Sequence, residues 1–273
     1  MSKDNSEEIV RRAAAAFNAG RRDEAKQLCE QGLRRRPGEP VLSHFLAAVL
    51  YAEGAIAPAR GHIETSLAKR PDNAAARLLA GRIARAAKDF DAAMMHLDRA
   101  VALEPQREVF VEQARTLDLA GRKAQAREAW EAILKVIPQH QEAMARLGRL
   151  AWDDGDPAKA ARLLDRATAS DAPASVWFDL GVARQDLREF TAAATAYRKA
   201  LDINPDYAEA ALNLGIVLQE SGDPDAAMQA YSHAYGLRPG MFGSIAMALT
   251  SGSHGRLWLD EAALRKALEH FRF

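Results

Sequence analysis

The sequence predicts an all-α solenoid, a stack of about seven helical hairpins closed by a C-terminal capping segment. Three observations carry that expectation: proline recurs at a near-constant interval, each interval holds two amphipathic helical faces, and a turn, most often marked by glycine, separates the faces. Pro37, Pro71, Pro105, Pro138, Pro205 and Pro239 lie 34, 34, 33, 67 and 34 residues apart. The longest gap is two units with one residue missing, and Pro173 stands inside it, in a unit whose end has slipped by a residue. A period of about 34 residues is the mark of a repeat architecture, in which each unit contacts only its neighbours. Seven units then occupy residues 6–239, and residues 240–273 form capping helices with an irregular loop at 250–259.

The clearest unit begins at Ala174. It places Trp177, Leu180 and Gly181 at its positions 4, 7 and 8, and Ala193, Tyr197, Ala200 and Pro205 at positions 20, 24, 27 and 32. Positions 4, 7, 8 and 11 share one face of a helix (helix A), and positions 20, 24, 27 and 28 share one face of a second (helix B). The next unit repeats the scheme with Leu214, Gly215, Ala227, Tyr231 and Ala234. Earlier units keep the register with Gly81, Ala93, Leu97 and Ala100, or with Ala114, Ala126, Trp130 and Ile133. Gly20, Gly54, Gly121, Gly155 and Gly222 fall near position 15, where a residue without Cβ accepts the left-handed conformation that ends a helix. The segments "GDPAKAA" and "GDPDAAM" supply an N-capping aspartate with proline at the first helical position. A single hairpin cannot bury two apolar faces, so the hairpins must stack.

In phase over most of the chain, this pattern resembles the tetratricopeptide (TPR) repeat family. The resemblance implies a right-handed superhelix that binds an extended protein or peptide in the concave groove lined by its A helices, reached mainly from positions 2, 5, 9, 12 and 13. Position 9 reads Ala14, Ala48, Arg82, Arg115, Arg149, Val182 and Ile216, so three consecutive units project an arginine from the same place. Guanidinium forks bind carboxylates in bidentate fashion, which points to a partner with an acidic segment. Arg115 has Asp118 at i+3 and Arg149 has Asp153 at i+4 as ordinary helix-surface partners. Arg82 and Arg85 have no acid in their own segment and are expected to find a partner elsewhere, which makes them the leading candidates. Reversing both to glutamate is expected to abolish capture of an acidic partner without loss of helicity. Towards the C-terminus the groove positions become apolar and amide-bearing: Phe178, Val182, Gln185, Leu212, Ile216 and Gln219. Units 1 and 2 offer His44, Phe17 and Tyr51. The clamp with which some TPR domains hold a terminal carboxylate needs asparagine at position 9, and no unit has one.

Composition narrows the classes of function. With 37 basic and 37 acidic side chains, the chain lacks the basic excess of a nucleic-acid binder. One cysteine, Cys29, excludes a disulfide framework, and it occupies core position 24. No apolar run is long enough to span a bilayer, the start has no signal-peptide core, and a cytoplasmic location is expected. The seven histidines show no metal-ligand spacing. No phosphate-binding loop, dinucleotide fingerprint or nucleophile elbow is present, so neither cofactor nor catalysis is expected. After Pro239 too little chain remains for a catalytic domain. The leading expectation is a non-catalytic adaptor; the alternative is a targeting or regulatory subunit of an enzyme complex, docking its catalytic partner. In "LTSGSHGRLWLD", Asp260 is expected to cap a last helix with Leu264, Ala267, Leu268 and Phe271 as its stripe. Trp258 is expected either to seal the end of the stack or to dock a partner.

Overall fold

The computed structural model describes residues 3–251 and 260–270, and these are helical throughout apart from short turns. The chain divides into two compact units, Met1–Ala129 and Trp130–Phe273. The first holds the hairpins α1 (Lys3–Asn18) with α2 (Arg22–Arg35), α3 (Pro40–Ala52) with α4 (Ile56–Lys69), and α5 (Ala74–Ala86) with α6 (Phe90–Leu103). It continues through α7 (Arg107–Leu119), and the boundary falls within α8 (Lys123–Val136). The second unit holds α9 (Gln141–Asp153) with α10 (Pro157–Ala167), α11 (Ala174–Asp186) with α12 (Phe190–Ile203), and α13 (Ala208–Glu220) with α14 (Pro224–Leu237). A 3-10 turn at Pro239–Met241 then leads into α15 (Phe242–Ser251) and α16 (Glu261–His270).

Each hairpin follows from its local sequence. Asp156 and Asp223 accept hydrogen bonds from the backbone N–H of Lys159 (2.8 Å) and Ala226 (3.1 Å), with Pro157 and Pro224 opening the helix. The five turn glycines adopt φ between 71° and 82°. In the two remaining hairpins Lys88 (φ 61°) and Arg188 (φ 60°) hold the same left-handed conformation despite carrying a Cβ. Core position 24 is buried in every unit: Cys29, Ile63, Leu97, Trp130, Leu164, Tyr197 and Tyr231. Helix A passes closely over it. A Cβ on Gly181 would lie 2.5 Å from the Tyr197 ring, and one on Gly215 the same distance from Tyr231. The slip near Pro173 has a visible cause: α10 has 11 residues where α12 and α14 have 14, and Pro173 restarts the register as the N-cap of α11.

At the C-terminal end, Ile245, Leu249, Leu264 and Leu268 are buried together with Leu218, Tyr231 and Tyr235 of the preceding hairpin. Ser232 Oγ donates to the Leu268 carbonyl, Gln219 Nε2 donates to the Ala248 carbonyl at 3.0 Å, and the Arg265 guanidinium lies 3.9 Å above the Phe242 ring. Asp260 accepts from the Ala262 N–H at 2.8 Å and starts α16. Trp258, His254 and Phe271 lie outside the described residues.

Candidate functional site

In the first unit the arginines of the expected groove meet a buried acid. Glu112, at position 6 of α7, is 2% exposed. Its carboxylate lies 2.5 Å from Arg85, 3.1 Å from Arg82 and 2.9 Å from Arg115, and Arg82 also pairs with Glu108. Burial pulls the Arg82 guanidinium towards deprotonation, but the hydrogen bond it donates to Glu108 and the charge of Glu112 outweigh it and raise its pKa. The partner that Arg82 and Arg85 require is therefore internal. Reversing both arginines would set two new carboxylates against a buried one, so that substitution would disturb the fold as well as any binding.

The same register recurs in the second unit. Arg149, at position 9 of α9, donates to Asp179 at 2.8 Å, lies 3.5 Å from Asp153 and sits 4.9 Å above the Trp152 ring. Asp179 stands at position 6 of α11, as Glu112 does of α7, and in both cases the acid follows the arginine by 30 residues. Burial raises the Asp179 pKa, and Arg149 opposes that rise. A search for acids within each arginine's own helix misses these pairs. Reading position 6 of the following unit against position 9 finds both.

The apolar end of the expected site gathers between α11 and α13. Phe178 is half-buried and stacks on Tyr207 at 4.9 Å, with Tyr197 at 5.8 Å, so part of its surface belongs to the interior. Val182 and Ile216 are likewise half-buried against the same core. The position-12 glutamines reach inward: Tyr197 donates to Gln185 Oε1 at 2.8 Å, and Tyr231 donates to Gln219 Oε1 at 3.2 Å. Gln219 is only 3% exposed and serves the core, whereas the Gln185 amide N–H groups meet no acceptor among the described residues. Gln185 and Ile216 line a cavity of about 450 Å³ together with Asp186, Phe190 and Glu220. In the first unit, Phe17 and Tyr51 pack against the core, and burial lowers the His44 pKa. Among the described residues, no group of three or more His, Cys, Asp or Glu side chains gathers to hold a metal, and no helix is long and apolar enough to cross a membrane.

Tetratricopeptide-repeat profiles match residues 16–83, 111–175 and 178–242, and the chain belongs to the tetratricopeptide repeat family. It is 30% identical over 122 residues to Tetratricopeptide repeat protein 8 of Caenorhabditis elegans, a match covering 44% of this chain and 24% of that relative's length. Among solved structures, PilW, a widely conserved type IV pilus biogenesis factor, superposes with a TM-score of 0.68 at 17% identity, covering 80% of this chain and all of PilW. The APC/C hetero-tetramer Cut9–Hcn1 gives 0.66 at 16% identity over 94% of this chain and 48% of that one. YrrB, described as a TPR protein with an unusual peptide-binding site, gives 0.54 at 14% identity over 65% and 92%. These structural likenesses establish the fold. The family, whose members are generally non-catalytic, supports a protein-interaction scaffold.

Proposed function

We propose that the protein is a non-catalytic adaptor that holds an extended segment of a partner protein against the A helices of its second unit. The observation that carries this reading is the half-buried strip Phe178, Val182 and Ile216 beside the cavity lined by Gln185 and Ile216. A partner side chain entering the cavity would bury apolar surface, and the Gln185 amide would donate to a backbone carbonyl of the segment. Arg82, Arg85, Arg115 and Arg149 already face carboxylates, so an acidic partner gains only by exchanging one carboxylate for another. The apolar strip therefore supplies most of the affinity, and the arginines add at most a preference of charge.

The test is selection of random displayed peptides on the full chain, followed by affinity measurement on Val182→Arg and Ile216→Arg. Each substitution is expected to weaken the selected peptides about tenfold or more, because a guanidinium in the strip loses the apolar contact, while the lost packing lowers the melt by only a few degrees and leaves the chain folded at the assay temperature. Undiminished affinity on both variants would remove the basis for this site.

A further inference from the structure

We propose a second recognition site, on the B-helix side of the second unit: the groove between α12 and α14 takes a partner segment in which an apolar side chain neighbours a carboxylate. The groove encloses about 680 Å³. Leu214 and Leu218 form its floor, Ala226 and Ala230 one wall, and Arg198 and His233 stand at its edge.

The repeat register explains why this groove is open. Arg198 of α12 and Ser232 of α14 occupy the same position of successive units. Ser232 is 1% exposed and closes against α16 through its hydrogen bond to the Leu268 carbonyl. Arg198 instead stands exposed beside alanines that are too short to fill the space, and a guanidinium cannot be pressed into that apolar wall without losing its hydration. The result is buried leucine floor reached from solvent past a positive charge.

Charge defines the occupant. Arg184, Arg238 and Arg265 of the same unit each face a carboxylate. Arg198 has no ion-pair or hydrogen-bond partner among the described residues, and the nearby Asp202 is engaged by Lys199 at 3.4 Å. A leucine-, methionine- or phenylalanine-sized side chain fits the cavity, and an adjacent Asp or Glu would receive the Arg198 fork, with His233 and Gln229 as further donors. Acidic recognition is thus placed where a guanidinium is uncommitted, rather than on arginines that the fold already neutralises.

The experiment pans a random displayed-peptide library on the full chain and measures enriched synthetic peptides by fluorescence anisotropy. The expected class pairs an apolar residue with Asp or Glu. It should weaken about tenfold or more on Arg198→Glu and hold within about threefold on Arg198→Lys, the scale of a charge-assisted contact. It should also be lost on Gln229→Trp, which blocks the groove from an exposed position, and be unaffected by Ile216→Arg. Arg198→Glu changes an exposed side chain, and its melt should match the parent. Absence of an acidic–apolar class overturns the proposal, as does its survival on Arg198→Glu or on Gln229→Trp. Loss on Ile216→Arg also overturns it and assigns those peptides to the A-helix strip instead.

Discussion

Glu112 shows how a single side chain redirects the reading of a surface. Three guanidiniums converge on one carboxylate that is withdrawn from water, and the arrangement holds because α7 brings Glu112 under the arginines of α5. A buried pair of this kind adds little net stability over an apolar filling, but removing one member leaves the others uncompensated. Glu112→Gln keeps the shape and deletes the charge. It is expected to cost about 3 kcal/mol in urea unfolding, the scale of a broken buried pair. Glu108→Gln, at a side chain 56% exposed, should cost under about 1 kcal/mol. Equal costs at the two positions would mean that Glu112 is not the centre of the cluster.

At the scale of the hairpin, much was legible because the signals are local and repeated. Proline spacing and glycine at five of the turns located the seven hairpins, and position 8 carries the glycines, Gly181 and Gly215, that closely approach Tyr197 and Tyr231. The arginine partners were not legible in the same way, since an acid one repeat away touches its arginine only after the hairpins have stacked. The inward turn of Gln219 likewise depends on the hydroxyl of Tyr231, which lies in the other helix of its hairpin. The turns at Lys88 and Arg188 carry no glycine, yet both residues adopt the conformation that the other five turns reserve for it. A Cβ in that region costs about 1 kcal/mol, partly offset by the greater freedom glycine has in the unfolded chain. Lys88→Gly is therefore expected to stabilise the protein by up to about 0.5 kcal/mol, read as a rise in melting temperature. A fall would show that the lysine side chain contributes more than its backbone strain.

For the molecule as a whole, the consequence of stacking is that each hairpin depends on its neighbours and little on anything further away. In the second unit the last hairpin has its apolar face covered by Ile245, Leu249, Leu264 and Leu268, with Ser232 and Gln219 bonded to the backbone of α16 and α15. The helices that provide this cover lack the repeat signature. Leu264→Ala together with Leu268→Ala would leave a cavity beneath α16, at about 2–5 kcal/mol for each leucine. In a globular core that loss would be shared by the whole fold. In a stack it should be graded: amide exchange should accelerate most in α16 and α14, less in α12, and not measurably in α9 and α10, because an end hairpin can open without dissolving those behind it. Hydrogen exchange resolved by helix reads this gradient directly. Uniform acceleration from α9 to α16 would mean that the second unit unfolds as one cooperative block, and that α15 and α16 are part of its core rather than a cover on its last hairpin.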